Sequence, residues 1–134
     1  MRALLSLAIV ACLAGPAAGQ ATSKPTTETA SQFYLRYRAL VAKATSLPQI
    51  VEHWSSDQRQ DFNAAPPSER PDLEFVKSST AATQDVKVVK EASTPNFATL
   101  DVQGVQDGRP VTTTVDLVRE KGVWKIASGP ERWR

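Results

Sequence analysis

Acid–base chemistry needs a side chain that exchanges a proton near neutral pH and a second group that orients or polarises the reacting molecule. In this chain of 134 residues the side chains that could take those parts are Tyr34 and Tyr37, the single histidine His53, and Asp101 and Asp116. No recognised motif gathers them: the chain has neither a Gly-rich phosphate loop nor a Gly-x-Ser-x-Gly elbow. One histidine and one cysteine, Cys12, are too few for a transition-metal site, so neither a metal nor any other cofactor is expected.

Whether these groups can meet depends on the strands that carry them. After about residue 84 the apolar period changes from 3.6 to 2, with β-branched runs at 85–92, 97–105, 109–120 and 122–128. Asp107-Gly108 is a strong two-residue hairpin signal, and Lys121-Gly122 a weaker one. Placing both pairs at turn tips sets Leu100 opposite Val115, Ala98 opposite Leu117, Leu117 opposite Ile126 and Arg119 opposite Trp124. Ala98, Leu100, Val102, Thr113, Val115, Leu117, Trp124 and Ile126 then share one apolar face, which both turns imply independently. Asp101 and Asp116 fall on the other face, beside Thr114 and Thr99. The inner face therefore holds no carboxylate. Arg119 opposite Trp124 forms a candidate cation–π pair.

The helical half precedes the strands. Phe33, Tyr37, Leu40, Val41 and Ala44 trace one helix face, and Thr29 with Gln32 makes a capping box. A second helix is expected from Ser46, with Ser46 as cap, Gln49 returning the bond, Pro48 in the first turn, and Ile50, Val51 and Trp54 inward. His53, one residue from Trp54 and so about 100° around the helix, is expected outside or at the rim. A polar stretch carries Phe62 inward on a short helical turn. A third helix is expected to be capped by Ser68, with Pro71 in its first turn and Leu73 and Val76 inward. Gly129-Pro130 ends the last strand, leaving "ERWR", whose Trp133 is expected to cover a sheet edge or pocket rim. The fold class is α+β: N-terminal helices packed on a bent, cone-like antiparallel sheet of about four strands.

The N-terminus reads differently. Arg2, the apolar run from Ala3 to Leu13 broken only by Ser6, and Ala17-Ala18-Gly19 make residues 1–19 a signal peptide, too short to span a bilayer. Ile9-Val10-Ala11-Cys12 also resembles a lipobox, so lipid anchoring at Cys12 is the competing reading. Residues 20–28, rich in Thr, Ser and Pro, read as a disordered leader, and residues 29–134 as one domain. The expected location is exported, periplasmic or secreted, with no membrane span in the mature form. The whole chain carries 16 basic and 14 acidic residues, interspersed, and Arg2 departs with the leader. No phosphate-tracking patch results, so nucleic acid is not an expected partner.

Helices followed by an antiparallel sheet within about 110 residues resemble the nuclear transport factor 2-like superfamily, whose fold is the cystatin-like cone. "FYLRYRAL" stands where that family has its long first helix, and Lys121-Gly122-Val123-Trp124-Lys125-Ile126 is similar to the last hairpin of its small exported members. The resemblance covers about residues 30 to 128. It implies a concave mouth where enzymes of the family hold an Asp or His base with Tyr or Asp donors. It implies little function, because the scaffold serves many. Tyr34, Tyr37, Trp54, Phe62, Leu100 and Trp124 are the candidate lining of such a pocket. With the strand carboxylates facing away, no catalytic residue is assigned. The leading expectation is an exported non-catalytic domain that binds a small apolar ligand or a partner protein. The alternative is a cell-envelope assembly or interaction domain, homodimerising through the outer sheet face where Thr112, Thr113 and Thr114 lie. An isomerase- or dehydratase-like enzyme is the third reading.

Overall fold

The computed structural model describes residues 27–134. The expected signal peptide, Cys12 and the leader as far as residue 26 lie outside the described residues. The first helix, α1 (Ala30–Lys43), starts at the expected capping box: Gln32 N donates to Thr29 Oγ1 at 3.1 Å, and Thr29 N donates to Gln32 Oε1 at 3.0 Å. Its buried face is Ala30, Phe33, Tyr34 and Val41, with Tyr37 and Leu40 only half-buried. The apolar stripe is thus rotated toward Tyr34, for a reason that lies at the far end of the chain.

Helix α2 (Pro48–Val51) is a single turn with proline at its start, as expected. The expected cap does not form: Leu47 precedes the helix without a side-chain bond, and Gln49 Oε1 accepts instead from Thr45 N at 2.9 Å. The polar stretch makes a full helix, α3 (Ser56–Ala64), capped by Ser55 Oγ accepting from Gln58 N. The remaining helix, α4 (Leu73–Ala81), is capped by Asp72, whose Oδ1 accepts from Phe75 N at 2.8 Å, and not by Ser68. Pro71 lies ahead of it. A residue before proline is pushed out of the helical region, and Arg70 is extended at φ −79° and ψ 136°, so no helix could run from Ser68 through Pro71. Ser68 sits in a separate 3₁₀ turn, Pro67–Glu69.

Strands β1 (Gln84–Ser93), β2 (Phe97–Gln106), β3 (Arg109–Glu120) and β4 (Val123–Ile126) form an antiparallel meander in chain order. Both hairpins have positive φ at their two tip residues: 50° and 74° at Asp107-Gly108, 51° and 78° at Lys121-Gly122. The pairing is the one expected: Leu100 with Val115, Ala98 with Leu117, Leu117 with Ile126, Arg119 with Trp124. Strand β1 departs from regular register twice, between Gln84 and Lys87 and between Val88 and Lys90. Helix α1 packs on the apolar face, where Ala98, Leu100, Val102, Val115, Leu117, Trp124 and Ile126 join Ala30, Phe33 and Tyr34 in one core. The architecture is α+β. A smaller cluster, Val41, Ala44 and Ile50, extends this core under α4, with Leu73 and Val76 against it.

Chain segments cover one side of the sheet. Ser55 N donates to Ile126 O at 2.8 Å and Ile126 N to His53 O at 2.9 Å, so residues 53–55 lie as a short parallel partner along β4. Beyond β4 the C-terminal residues continue along β3, with Arg134 N and O both bonded to Thr112 at 3.0 Å. Covering a strand edge in this way removes a template for unwanted pairing. The exposed edge of β1 carries Lys87 and Lys90 and both register breaks, which blunt it by other means. No helix among the described residues is long and apolar enough to cross a membrane.

Candidate functional site

The candidate pocket-lining residues separate into two groups. Tyr34 and Leu100 have no exposed surface at all, and Trp124 is 2 % exposed. A side chain that a water-sized sphere cannot touch lines no cavity, open or closed, so these three are core residues in this structure. Tyr37, Trp54 and Phe62 are half-buried and touch one another in series. Trp54 Nε1 donates to Tyr37 Oη at 2.8 Å, and the Trp54 ring meets the edge of Phe62 at 5.7 Å between centroids. Burial pushes the Tyr37 phenol up to about 12, so it stays protonated at neutral pH. Arg119 and Trp124 are paired as expected, the guanidinium 4.3 Å from the ring centroid.

His53 is half-buried at the rim and not outside it, its side chain 17 % exposed. Its ring lies 6.2 Å from both Phe33 and Tyr37, and its buried Nε2 has no hydrogen-bond partner, the Glu52 carboxylate being 3.4 Å away. The single turn of α2 ends before residue 53, and the pairing of residues 53–55 with β4 turns the imidazole toward α1. Helical angles therefore do not apply to it. Burial holds its pKa below the ordinary 6.5, with Lys125 and Arg36 acting in the same direction and Glu52 and Glu28 against it. Asp101 and Asp116 lie on the outer face, as the register required. Asp101 is opposite Thr114, and Asp116 accepts from Thr99 Oγ1 at 2.9 Å. The expectation of an inner face without a carboxylate does not hold: Glu91, paired with Leu100, lies on the helix side, where it accepts from Ser31 of α1, because the N-terminal turn of the helix supplies it with donors. No group of three His, Cys, Asp or Glu among the described residues is arranged to hold a metal ion.

A polar constellation that sequence reasoning missed sits where the C-terminus crosses α1. Tyr34 Oη donates to Glu131 Oε1 at 2.6 Å, Arg38 donates to Glu131 Oε2 at 2.8 Å, and Trp133 Nε1 donates to the same oxygen at 3.0 Å. Arg38 also donates to the carbonyls of Thr80 and Thr83, and its guanidinium stands 5.8 Å from the Trp133 ring. Burial, then the Glu131 charge, raise the Tyr34 pKa well above its usual value, so the phenol is a fixed donor. This is why Tyr34 can be buried completely: its hydroxyl has a partner almost a hundred residues away. The one available signal was alternation within "ERWR".

Along the C-terminal segment, which runs beside β3 without joining the sheet as a strand, burial alternates from residue to residue. Glu131 and Trp133 point to the helix side; Arg132 and Arg134 point out. Arg134 is paired with Thr112, so both share the outer face, and Thr113 Oγ1 donates to the Arg132 carbonyl at 3.1 Å. On that outer face lies an open groove of about 740 Å³, floored by Asp101, Gln103, Thr112 and Thr114 and walled by Arg132 and Arg134. Its volume is within the range of small-ligand sites, about 300 to 1,000 Å³.

No known family, characterised protein or solved structure matches this chain.

Proposed function

We propose that the chain is an exported, non-catalytic binding module on a cone-type scaffold like that of the nuclear transport factor 2-like superfamily, and that it engages its partner with the outer face of the sheet. The observation that carries this reading is the contrast between the two faces. The inner face is filled by Tyr34, Leu100 and Trp124, leaving no room for a small apolar ligand beside them, whereas the outer face holds the 740 Å³ groove. Acid–base catalysis lacks support, because Asp101 and Asp116 are separated by the sheet from Tyr34, Tyr37 and His53, and the helix-side carboxylates Glu91 and Glu131 are engaged by Ser31 and by Tyr34, Arg38 and Trp133. The export reading rests on residues 1–19.

The test is to fill the groove. Thr114→Trp in the purified mature protein should abolish co-elution of the partner from an envelope extract while leaving the melting curve near that of the wild type. Native mass of both proteins covers the homodimer alternative, since a dimer formed through this face should become a monomer. Unchanged co-elution and unchanged mass together would remove the outer face from consideration.

A further inference from the structure

We propose that the outer groove is a site for an extended acidic peptide, with carboxylates at alternate positions seated on Arg132 and Arg134; this rests on the outer-face reading above. Residues two apart on one face of an extended segment leave the backbone about 6.6 Å apart, twice the rise of a strand residue, and Arg132 and Arg134 are exposed at such a spacing. Same-face side chains of an extended peptide repeat at that same interval. The match is therefore to a strand-like ligand lying along the C-terminal segment.

Neither guanidinium has an ion-pair partner among the described residues, in contrast to Arg36, Arg38 and Arg59, whose carboxylates are Glu28, Glu131 and Glu120. Arginine presents a planar fork that suits a carboxylate bidentately. The positions are also held in advance. Glu131 and Trp133, the residues interleaved with the two arginines, are tied to Tyr34 and Arg38, and Arg134 is bonded to Thr112 through both its backbone groups. Binding then orders two side chains and no backbone of this segment, which limits its entropic cost.

The remaining groove residues sharpen the ligand class. Thr112 and Thr114 repeat at the same two-residue interval along β3 and offer hydroxyls to polar groups of the ligand. Asp101, across from Thr114 on β2, repels a carboxylate from that side and so directs the acidic side chains toward the arginine wall. Groove-lining residues include no aromatic ring. Single-stranded nucleic acid depends on such rings for stacking, so its chemistry fits this groove poorly.

The experiment uses the mature protein and fluorescein-labelled peptides, read by anisotropy. A peptide of alternating Ser and Glu should bind; its Ser-Gln counterpart, and a peptide with the same glutamates placed consecutively, should bind at least about tenfold more weakly. The double variant R132Q/R134Q, whose replaced groups are exposed, should fold normally and lose affinity for the alternating acidic peptide by a similar factor. Equal binding of the Ser-Gln peptide, equal binding by the double variant, absence of binding, or displacement of the peptide by oligothymidylate would each overturn the proposal. If the acidic peptide fails while Thr114→Trp still abolishes partner co-elution, the ligand class is wrong and the outer-face reading stands. If both fail, the outer-face reading falls too.

Discussion

Trp124 and His53 show how differently single residues can be placed by one fold. Trp124 lies against the core with its Nε1 donating to the Glu28 carbonyl at 3.0 Å and Arg119 over its ring. Trp124→Ala should cost about 3 to 5 kcal/mol, read as a shift in the denaturant midpoint; a loss under about 0.5 kcal/mol would mean that the ring is not buried. His53 is a pH-dependent element of stability. Its folded pKa is depressed below the unfolded 6.5, so between those values the unfolded chain binds the proton and the folded one does not. The contribution is fully present above pH 6.5 and is lost as pH falls below it. His53→Phe should flatten urea midpoints in that window. The acidic groups Glu91 and Glu120, with pKa values held below 4.5, act only in a lower window, so the two effects can be separated. A wild-type midpoint that does not move between neutral pH and pH 5.5 would refute this assignment.

At the scale of elements, the connections matter more than the elements themselves. Glu91 on β1 accepts from both Ser31 N and Ser31 Oγ, at 2.7 and 2.6 Å, in the first turn of α1, where the helix dipole favours a carboxylate. Glu120 at the end of β3 does the same for Ser56 in the first turn of α3. The C-terminal segment depends on Glu131. Glu131→Gln keeps the shape but weakens charge-assisted bonds to Arg38 and Tyr34, an expected loss of about 1 to 3 kcal/mol. The same variant should raise amide exchange at Arg134, whose bond to Thr112 is the outer fastening. Strand β2 meets the end of α4 at Gly104, where a Cβ would lie 2.5 Å from Thr83 Cγ2 and 3.2 Å from the Gln84 carbonyl. Gly104→Ala should therefore destabilise by about 1 to 3 kcal/mol in thermal or urea melts, through overpacking alone. Unchanged stability would show that Thr83 moves freely aside.

For the whole molecule the division between the two sheet faces is the organising fact. One face carries the core and the burial that stabilises the fold; the other carries Thr99, Asp101, Gln103, Thr112 and Thr114 and contributes little to it. Asp101→Asn should accordingly leave denaturant midpoints within about 0.5 kcal/mol of wild type, as should R132Q/R134Q. A larger loss from either would mean that the outer face is structural and not a free surface. If recognition uses the outer face as proposed, folding and binding fall on separate residues, and binding variants there should be readable without a stability correction.

Much of this was readable from the chain itself. Two hairpin tips requiring positive φ, Asp107-Gly108 and Lys121-Gly122, together with a period of two, determined the register of three strands and thus the faces of Asp101, Asp116 and Trp124. The capping box at Thr29 located the start of α1. These are local properties, set by backbone sterics and by the spacing of side chains a few residues apart. Tertiary structure decided the rest. Tyr34 is buried because Glu131 meets its hydroxyl across 97 residues of sequence, and His53 is turned inward because its carbonyl accepts from Ile126 N. Arg132 and Arg134 face the outer groove because Arg134 pairs with Thr112, which alternation in "ERWR" suggested only once its partner strand was known. Partners so distant in sequence leave no periodic trace, since their bonds form only after the chain has brought the two segments together.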